Sequence, residues 1–370
     1  MRESAKNSQR ITYIDAAKGL AMYLIMASHL ATLPIFITAS YVAVFFFISG
    51  FTFRPTKRPT EAIRKRAQQL LIPYIYAELF YLAGQVIGDI HRGGTFDKQV
   101  FFKAVVGILS GRVSLYNLNA DIPGNIFFWI WETGPLWFLL AFFTTSVLFY
   151  PLMEYVIRGK KQCALACLAL ILLAVPCSHI IFQVPWYLDA LFSNTLIMIA
   201  GWLTAQKLTF ELFQQVSVKK ILGVLNISFA YVLLCLLNPG MAMSISSYGK
   251  RGVFLFWGVA ITGSLLYIWV ARAIELFVPM LGRFFALLGR HTIGLFCSHL
   301  FFYKIFRKVD VVLGTAEWAS AHSLFAAFIK AGGACVCWII LYYFAAAVKK
   351  RTSCLYNLSK IEGPRNSKEK

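Results

Sequence analysis

What most constrains this chain is a succession of apolar runs, each near the length of a membrane-crossing helix and divided from the next by short connections. The runs fall at about 14–33, 39–53, 70–88, 133–156, 162–182, 188–206, 221–238, 252–271, 292–306 and 324–347. In hydrocarbon every backbone N–H and C=O must find its partner within the protein, and a helix does this within a single segment. The expected fold class is therefore all-α, a polytopic transmembrane helical bundle with about ten spans. Composition agrees: 59% of the 370 residues are hydrophobic and only 14% are charged, against about 25% charged in soluble domains. Basic residues gather on alternate connections, at Arg2, Lys6 and Arg10, at Arg64, Lys65 and Arg66, at Arg158, Lys160 and Lys161, and at Lys349, Lys350 and Arg351. By the positive-inside rule both termini are expected to be cytoplasmic. The chain reads as an N-terminal cytoplasmic segment over 1–10, a transmembrane domain over 11–348, and a basic tail over 349–370 polar enough to be disordered.

Several classes fall away on the same grounds. A formal charge of +20 would suit a nucleic-acid binder only if it formed a solvated basic face, whereas here it is scattered between apolar runs, so no nucleic acid is expected. Eight cysteines are present, but none has CxxC spacing and all except Cys354 lie in apolar segments; they read as small packing residues, and no metal is expected. A cleaved signal peptide is disfavoured because Asp15 and Lys18 interrupt what would be its apolar core.

Those two residues, with His29, are the second strong feature. Three ionisable side chains sit inside the first apolar run, where each costs roughly 2.5 to 3.5 kcal/mol or more near the bilayer centre. Lys18 and His29 would be about 20° apart around a continuous helix and about 16 Å apart along it. They could line one wall of a polar channel, with Lys18 nearer the cytoplasm and His29 deeper. The plainer alternative is an i,i+3 Asp15–Lys18 pair at the membrane surface and a packing role for His29.

Four further groups have the same double reading. The longest non-cytoplasmic connection, from about Asp89 to Asn125, holds a moderately apolar stretch from Val100 to Leu109 that is too short to cross a bilayer, and leads to Glu132, Trp137 and Phe138. The aromatic pair is either an interfacial belt or an apolar wall for a ligand, with Glu132 at its mouth. Arg64, Lys65 and Arg66 open the third run, either as a topology anchor or as a phosphate site helped by a helix start. Asp189 sits just inside the sixth run. The ninth opens with Gly289-Arg290-His291-Thr292-Ile293-Gly294 and carries His299.

In order along the chain, these segments resemble the acyltransferase 3 family of integral-membrane O-acyltransferases, in its fucose 4-O-acetylase-like branch. Ile14-Asp15-Ala16-Ala17-Lys18-Gly19-Leu20 through His29 is similar to the family's opening motif, and Phe45-Phe46-Phe47-Ile48-Ser49-Gly50-Phe51 to its second-span signature. Arg64 to Tyr74, Leu136-Trp137-Phe138-Leu139 and Gly289 to His299 follow in the family's order. Some relatives carry an appended periplasmic esterase-like domain, for which this chain has no room. The resemblance implies acetyl-CoA as acyl donor, a sugar or glycolipid hydroxyl as acceptor, and a multi-pass place in a bacterial inner membrane. On that reading His29 is the general base or a transient acyl carrier, Lys18 and Asp15 orient the channel, and Arg64, Lys65 and Arg66 meet donor phosphates. Glu132, Trp137 and Phe138 lie toward the acceptor, with Asp189 and His299 helping to shape the pocket. The rival class is a proton-coupled transporter or a carrier of lipid-linked sugar, in which Asp15, Lys18, His29 and Glu78 would relay protons. Against it stands the lack of two matching halves with paired Gly or Pro interruptions.

Overall fold

The computed structural model describes residues 12–56, 58–91, 98–112, 136–180, 184–207, 218–243 and 246–361. It is built almost wholly of helices: α1 (Thr12–Ser28), α2 (Ile35–Thr38), α3 (Ala43–Phe51), α4 (Pro59–His91), α5 (Lys98–Ser110), α6 (Trp137–Val156) and α7 (Lys160–Cys177), then α8 (Leu191–Lys207), α9 (Val218–Leu237), α10 (Val253–Phe277), α11 (Pro279–Arg290), α12 (Thr292–Val312), α13 (Ala316–Ala321) and α14 (Ser323–Ile361). The described strands are two residues each, β1 (Met241–Ala242) and β2 (Ser247–Tyr248), paired antiparallel in the loop before α10. The chain divides into two compact units, Met1–Cys297 and Ser298–Lys370.

Among the described residues six helices are long and apolar enough to cross a bilayer, those at α4, α6, α7, α8, α10 and α14; α11 with α12 adds a seventh if that bent pair is one span. This differs from the expected ten for a physical reason. The first run stops at Ser28 after 17 helical residues, about 26 Å of rise against a hydrocarbon thickness of about 30 Å. The second run is broken into α2 and α3, and the seventh is a shorter apolar helix over Ile221–Leu237. The first two runs pack against other helices and need not match the bilayer as lipid-facing ones do. At the other end, α14 continues through Ile361, past the boundary at Val348 suggested by composition.

The first unit is centred on α1, α3, α6, α8, α10 and α11. Two helix pairs in it approach backbone to backbone. On α1, Gly19 lies against the Phe285 carbonyl of α11, and reciprocally Gly289 of α11 lies against the Asp15 carbonyl. On α3, Gly50 meets the Met198 carbonyl of α8, and Gly201 of α8 meets the Phe47 carbonyl. Small residues at such seams let helices gain packing where lipid offers no hydrophobic drive, and α1 supplies them with Ala16, Ala17 and Ala21, all essentially buried. The Phe-rich α3 fills the centre: Phe46 and Phe47 are fully buried, and Phe45 and Phe46 pack on Phe138 of α6.

Helices at the periphery show the opposite pattern. Leu79 and Phe80 on α4, Leu168 and Leu172 on α7, and Leu225 and Phe229 on α9 are all exposed. Apolar faces of this extent are unusual for a protein in water and normal for one in lipid. Near the end of α4, α5 packs through Ala104 on Leu82, and the Tyr74 hydroxyl donates to the Ile108 carbonyl at 2.7 Å. This short helix covers the stretch expected between Val100 and Leu109.

The second unit holds its own ion pair. Lys330 of α14 donates to Asp310 of α12, and Thr315 Oγ1 donates to the same carboxylate at 3.3 Å. His299 belongs to this unit, fully buried and edge-on to Tyr303 at 5.6 Å.

Replacing Gly289 by Leu tests the α1–α11 seam, because the obstructing atoms are backbone and cannot rotate away. Overpacking of this kind costs about 1 to 3 kcal/mol or more, so Tm in detergent should fall by on the order of 5 °C. Gly84→Ala on α4, where an added Cβ meets nothing within 4 Å, should leave Tm unchanged or slightly higher.

Candidate active site

His29 is not inside a helix. It lies in the turn directly after α1, where the His29 and Leu30 amides donate to the Met26 and Ala27 carbonyls at 3.2 and 3.0 Å, a tightening of the last turn. Pro34 keeps α1 from running on into α2, since its ring disfavours helical geometry in Leu33 before it, and a new helix starts at Ile35. Ser28 Oγ donates back to Ile25 O at 2.7 Å and also contacts Tyr41 OH at 3.3 Å.

The result is an exposed imidazole opening into a cavity of about 380 Å³ within the first unit, in the range of small-molecule pockets. Hydroxyls of Ser28, Thr32, Thr38 and Tyr41 line it, together with the rings of Trp137 and Phe296. Among these lining residues His29 is the sole titratable nitrogen base, and none is a carboxylate. Hydroxyls beside flat aromatic faces suit a polyhydroxylated ring; an imidazole among them suits removal of one of its protons.

Trp137 was expected at the ligand wall, and it lines this cavity. Phe138 does not: it is buried behind the wall, packed on Phe45, Phe46, Phe142 and Phe296. Neither Asp15 nor Lys18 lines the cavity. Instead of one continuous polar wall, the structure separates His29 from a cluster some three turns earlier, in which Lys18 Nζ meets Asp15 Oδ1 at 2.7 Å and Arg290 Nε stands 3.8 Å from Asp15 Oδ2. One buried carboxylate facing two cations leaves that cluster with a positive balance.

The cationic run at Arg64, Lys65 and Arg66 lies past the helix start, because α4 begins at Pro59. Arg64 and Lys65 are exposed, whereas Arg66 turns inward: Nε donates to Tyr150 OH at 3.2 Å, Nη2 donates to Ser49 Oγ at 3.3 Å, and the guanidinium lies 5.4 Å from the Phe142 ring. Glu132 lies outside the described residues. Among the described residues no group of three His, Cys, Asp or Glu side chains could hold a metal ion.

Asp189 is not at the cavity but behind it. Its carboxylate pairs with Arg112, both side chains being almost wholly buried. Arg112 Nε also donates to the Val184 carbonyl at 2.8 Å, Nη1 to Ser246 Oγ at 3.2 Å, and its guanidinium sits 3.4 Å over the Tyr187 ring. Tyr187 in turn lies 5.0 Å from Trp137. The pair therefore backs the cavity wall through the Tyr187 and Trp137 rings. In the sequence Arg112 is one basic residue in a long connection, and Tyr41 and Tyr187 are two of seventeen tyrosines, so none of the three stands out. Only the Asp189 side of the pair carried a signal, an acid at the edge of an apolar run that must find a cation.

Arg112→Met should destabilise the protein by about 3 to 5 kcal/mol, the usual cost of leaving a buried charge alone. The double variant Arg112→Met/Asp189→Leu should recover much of that loss, as read by unfolding in mixed micelles. Equal stability of the single and double variants would show that the pair is not electrostatically coupled.

No curated protein and no solved structure matches the chain. The family model Acyl_transf_3, described as the acyltransferase domain, matches residues 11–343, a range that includes the glycine seam of α1 and α11 and the whole lining of the His29 cavity. The chain thus belongs to this acyltransferase family, and the apolar helices that its fold presents to lipid make it a membrane acyltransferase.

Proposed function

We propose that this protein is a membrane O-acetyltransferase of a bacterial inner membrane, moving an acetyl group from acetyl-CoA to a hydroxyl of a cell-surface or lipid-linked sugar. The observation that carries the reading is His29, held just past the end of α1 and open to a hydroxyl-lined, aromatic-walled cavity. About three turns of α1 lie between Lys18 and the turn that holds the imidazole, so a cationic cluster in the first half of α1 and a base just past its end are about 16 Å apart along the helix axis. An extended donor whose phosphates rest near basic groups, with its thioester reaching inward, suits such a spacing.

The chemistry needs little more. A neutral imidazole nitrogen of His29 accepts the proton of the acceptor hydroxyl as its oxygen attacks the thioester carbonyl carbon. The tetrahedral intermediate collapses with cleavage of the C–S bond, and the imidazolium returns the proton to the departing thiolate, giving the acetyl ester and free CoA. Trp137 and the hydroxyls of Thr32, Thr38 and Tyr41 hold the acceptor ring. Lys18 and Arg290, which together outweigh Asp15, and Arg66 are the donor-side cations.

His29→Ala should lower acetyl transfer by about 10²- to 10⁴-fold, the usual contribution of a general base, while Tm and CoA binding stay near those of the parent. His29→Gln, which keeps the size but cannot take a proton at neutral pH, should be as impaired. Near-parental turnover with Gln would make the residue structural. Radiolabelled acetyl-CoA with protein in lipid discs is the direct assay, since a carrier would bind or move substrate with no release of CoA.

Arg66→Ala should raise KM for acetyl-CoA more than it lowers kcat, because a phosphate contact remote from the reacting carbon is mostly uniform binding. An unchanged KM together with a lower Tm would identify Arg66 as a strut between α3, α4 and α6.

A further inference from the structure

A second cavity, about 480 Å³, opens on the other side of the β1–β2 hairpin. The hairpin is a shared wall: Met241, Ala242 and Met243 line the His29 cavity, while Ser246, Ser247 and Tyr248 line the second one. The start of α10 is shared as well, with Phe256 facing the first cavity and Val253 and Phe254 the second. Neighbouring strands of such a hairpin lie about 4.8 Å apart, so the linings of the two cavities come within about one strand spacing of each other.

The chemistry of the two differs. Among the described residues the His29 cavity is lined, beside the imidazole, by hydroxyls, rings and aliphatic side chains, whereas the second is rimmed by Lys250, Arg251 and His179, all exposed, with no acidic residue among its described lining. Among the described residues neither Lys250 nor Arg251 is ion-paired. The backbone that presents them is fixed. Fully buried Asn238 donates through Nδ2 to the Tyr248 carbonyl at 2.8 Å and accepts the Arg251 amide on Oδ1 at 2.8 Å; the Lys250 amide donates to Pro239 O at 3.0 Å. Gly249, at φ +83°, packs so closely on the Asn238 amide that a Cβ would collide with it.

We propose that this second cavity is an acceptor subsite, binding a carboxylate or phosphate carried by the same saccharide whose neighbouring sugar presents its hydroxyl to His29. The inference rests on the transfer reading above and narrows its substrate to an anionic saccharide. Lys250 and Arg251 supply the cationic contacts, Arg251 with a planar fork suited to two oxygens. Ser246 accepts a hydrogen bond from the Arg112 guanidinium, so the hairpin is tied to the Tyr187 and Trp137 rings, and the two subsites keep a fixed spacing.

The test compares binding of a short oligogalacturonate, a phosphorylated oligosaccharide and the carboxyl-reduced, neutral counterpart of the first. Parent and Lys250→Gln/Arg251→Gln protein are placed in zwitterionic lipid discs and, as a second arm, in discs containing anionic lipid. The parent should bind at least one anionic glycan about five- to tenfold more tightly than the neutral one, as two partly exposed cations would give, and the double variant should lose that preference. Equal binding of charged and neutral glycans by the parent, or a preference that survives in the variant, would overturn the proposal. So would an effect of the double substitution confined to discs containing anionic lipid, which would assign the two cations to lipid headgroups. CoA release is followed in parallel. Charge-selective binding with no CoA release from acetyl-CoA for any acceptor would sink the transfer reading and leave the subsite standing; CoA release with no charge preference would do the reverse.

Discussion

The structure depends on one arrangement, the backbone contact between α1 and α11 and the carboxylate buried beside it. With Gly19 against Phe285 and Gly289 against Asp15, the two helices can sit in only one register, since a shift of a single residue would place a side chain where backbone now lies. Asp15 is 4% exposed, and a carboxylate so placed is tolerated only with partners. Lys18 comes from its own helix three residues on and Arg290 from the residue after Gly289, so the glycine that permits the approach also brings in the second cation. Such a pair adds little net stability over well-packed apolar residues, and its stronger effect is on specificity of register. Fixing α1 at this end fixes where its other end stops, and with it the place of His29.

A second set of contacts holds the far wall. Arg112, Asp189, Tyr187 and Trp137 form a chain from a buried ion pair to the cavity lining, and Ser246 ties the hairpin to the same guanidinium. Ser49 and Gly50, adjacent in the Phe-rich motif of α3, divide their tasks: Ser49 accepts Arg66 from α4, and Gly50 admits the α8 backbone. Motifs that look like catalytic signatures in the sequence are thus in good part devices for bringing helices close.

Much of the architecture could be read from the chain because lipid-facing helices announce themselves by length and hydropathy. The runs that became α4, α6, α7, α8, α10 and α14 were legible for that reason. Helices enclosed by others were not, since α1 carries charges and ends early, and α2 and α3 are too short to cross. His29 and Trp137 could be singled out because an imidazole and an indole stand out in apolar sequence. Their meeting in one cavity could not, since it depends on where α1 stops and how α6 packs. The grouping of Lys18 with His29 failed for a related reason: helical angles place residues on one face, but the packing partner of that face changes along the helix, from α11 near Asp15 to the α2–α3 segment near Tyr41. Phe138 shows the same limit in a smaller way, adjacent to Trp137 in sequence yet turned about 100° from it on a helix, and so in the core instead of the cavity.

The position of His29 just beyond the helix also bears on its chemistry. Within α1 an imidazole would compete for space with the preceding turn and present a nitrogen to a neighbouring helix. In the turn after Ser28 the ring stands clear of the helical hydrogen-bond ladder and faces a cavity whose other polar groups are hydroxyls. Hydroxyls can donate or accept and so adapt to either protonation state of the imidazole, whereas a carboxylate beside it would hold it protonated and unable to act as a base. Among the described residues, the charged pairs of the first unit, Asp15 with Lys18 and Arg112 with Asp189, are kept out of the cavity lining, so that much of the buried charge fixes helices and the described wall around the imidazole is built of hydroxyls and rings, the setting that the proposed transfer of a proton from an alcohol calls for.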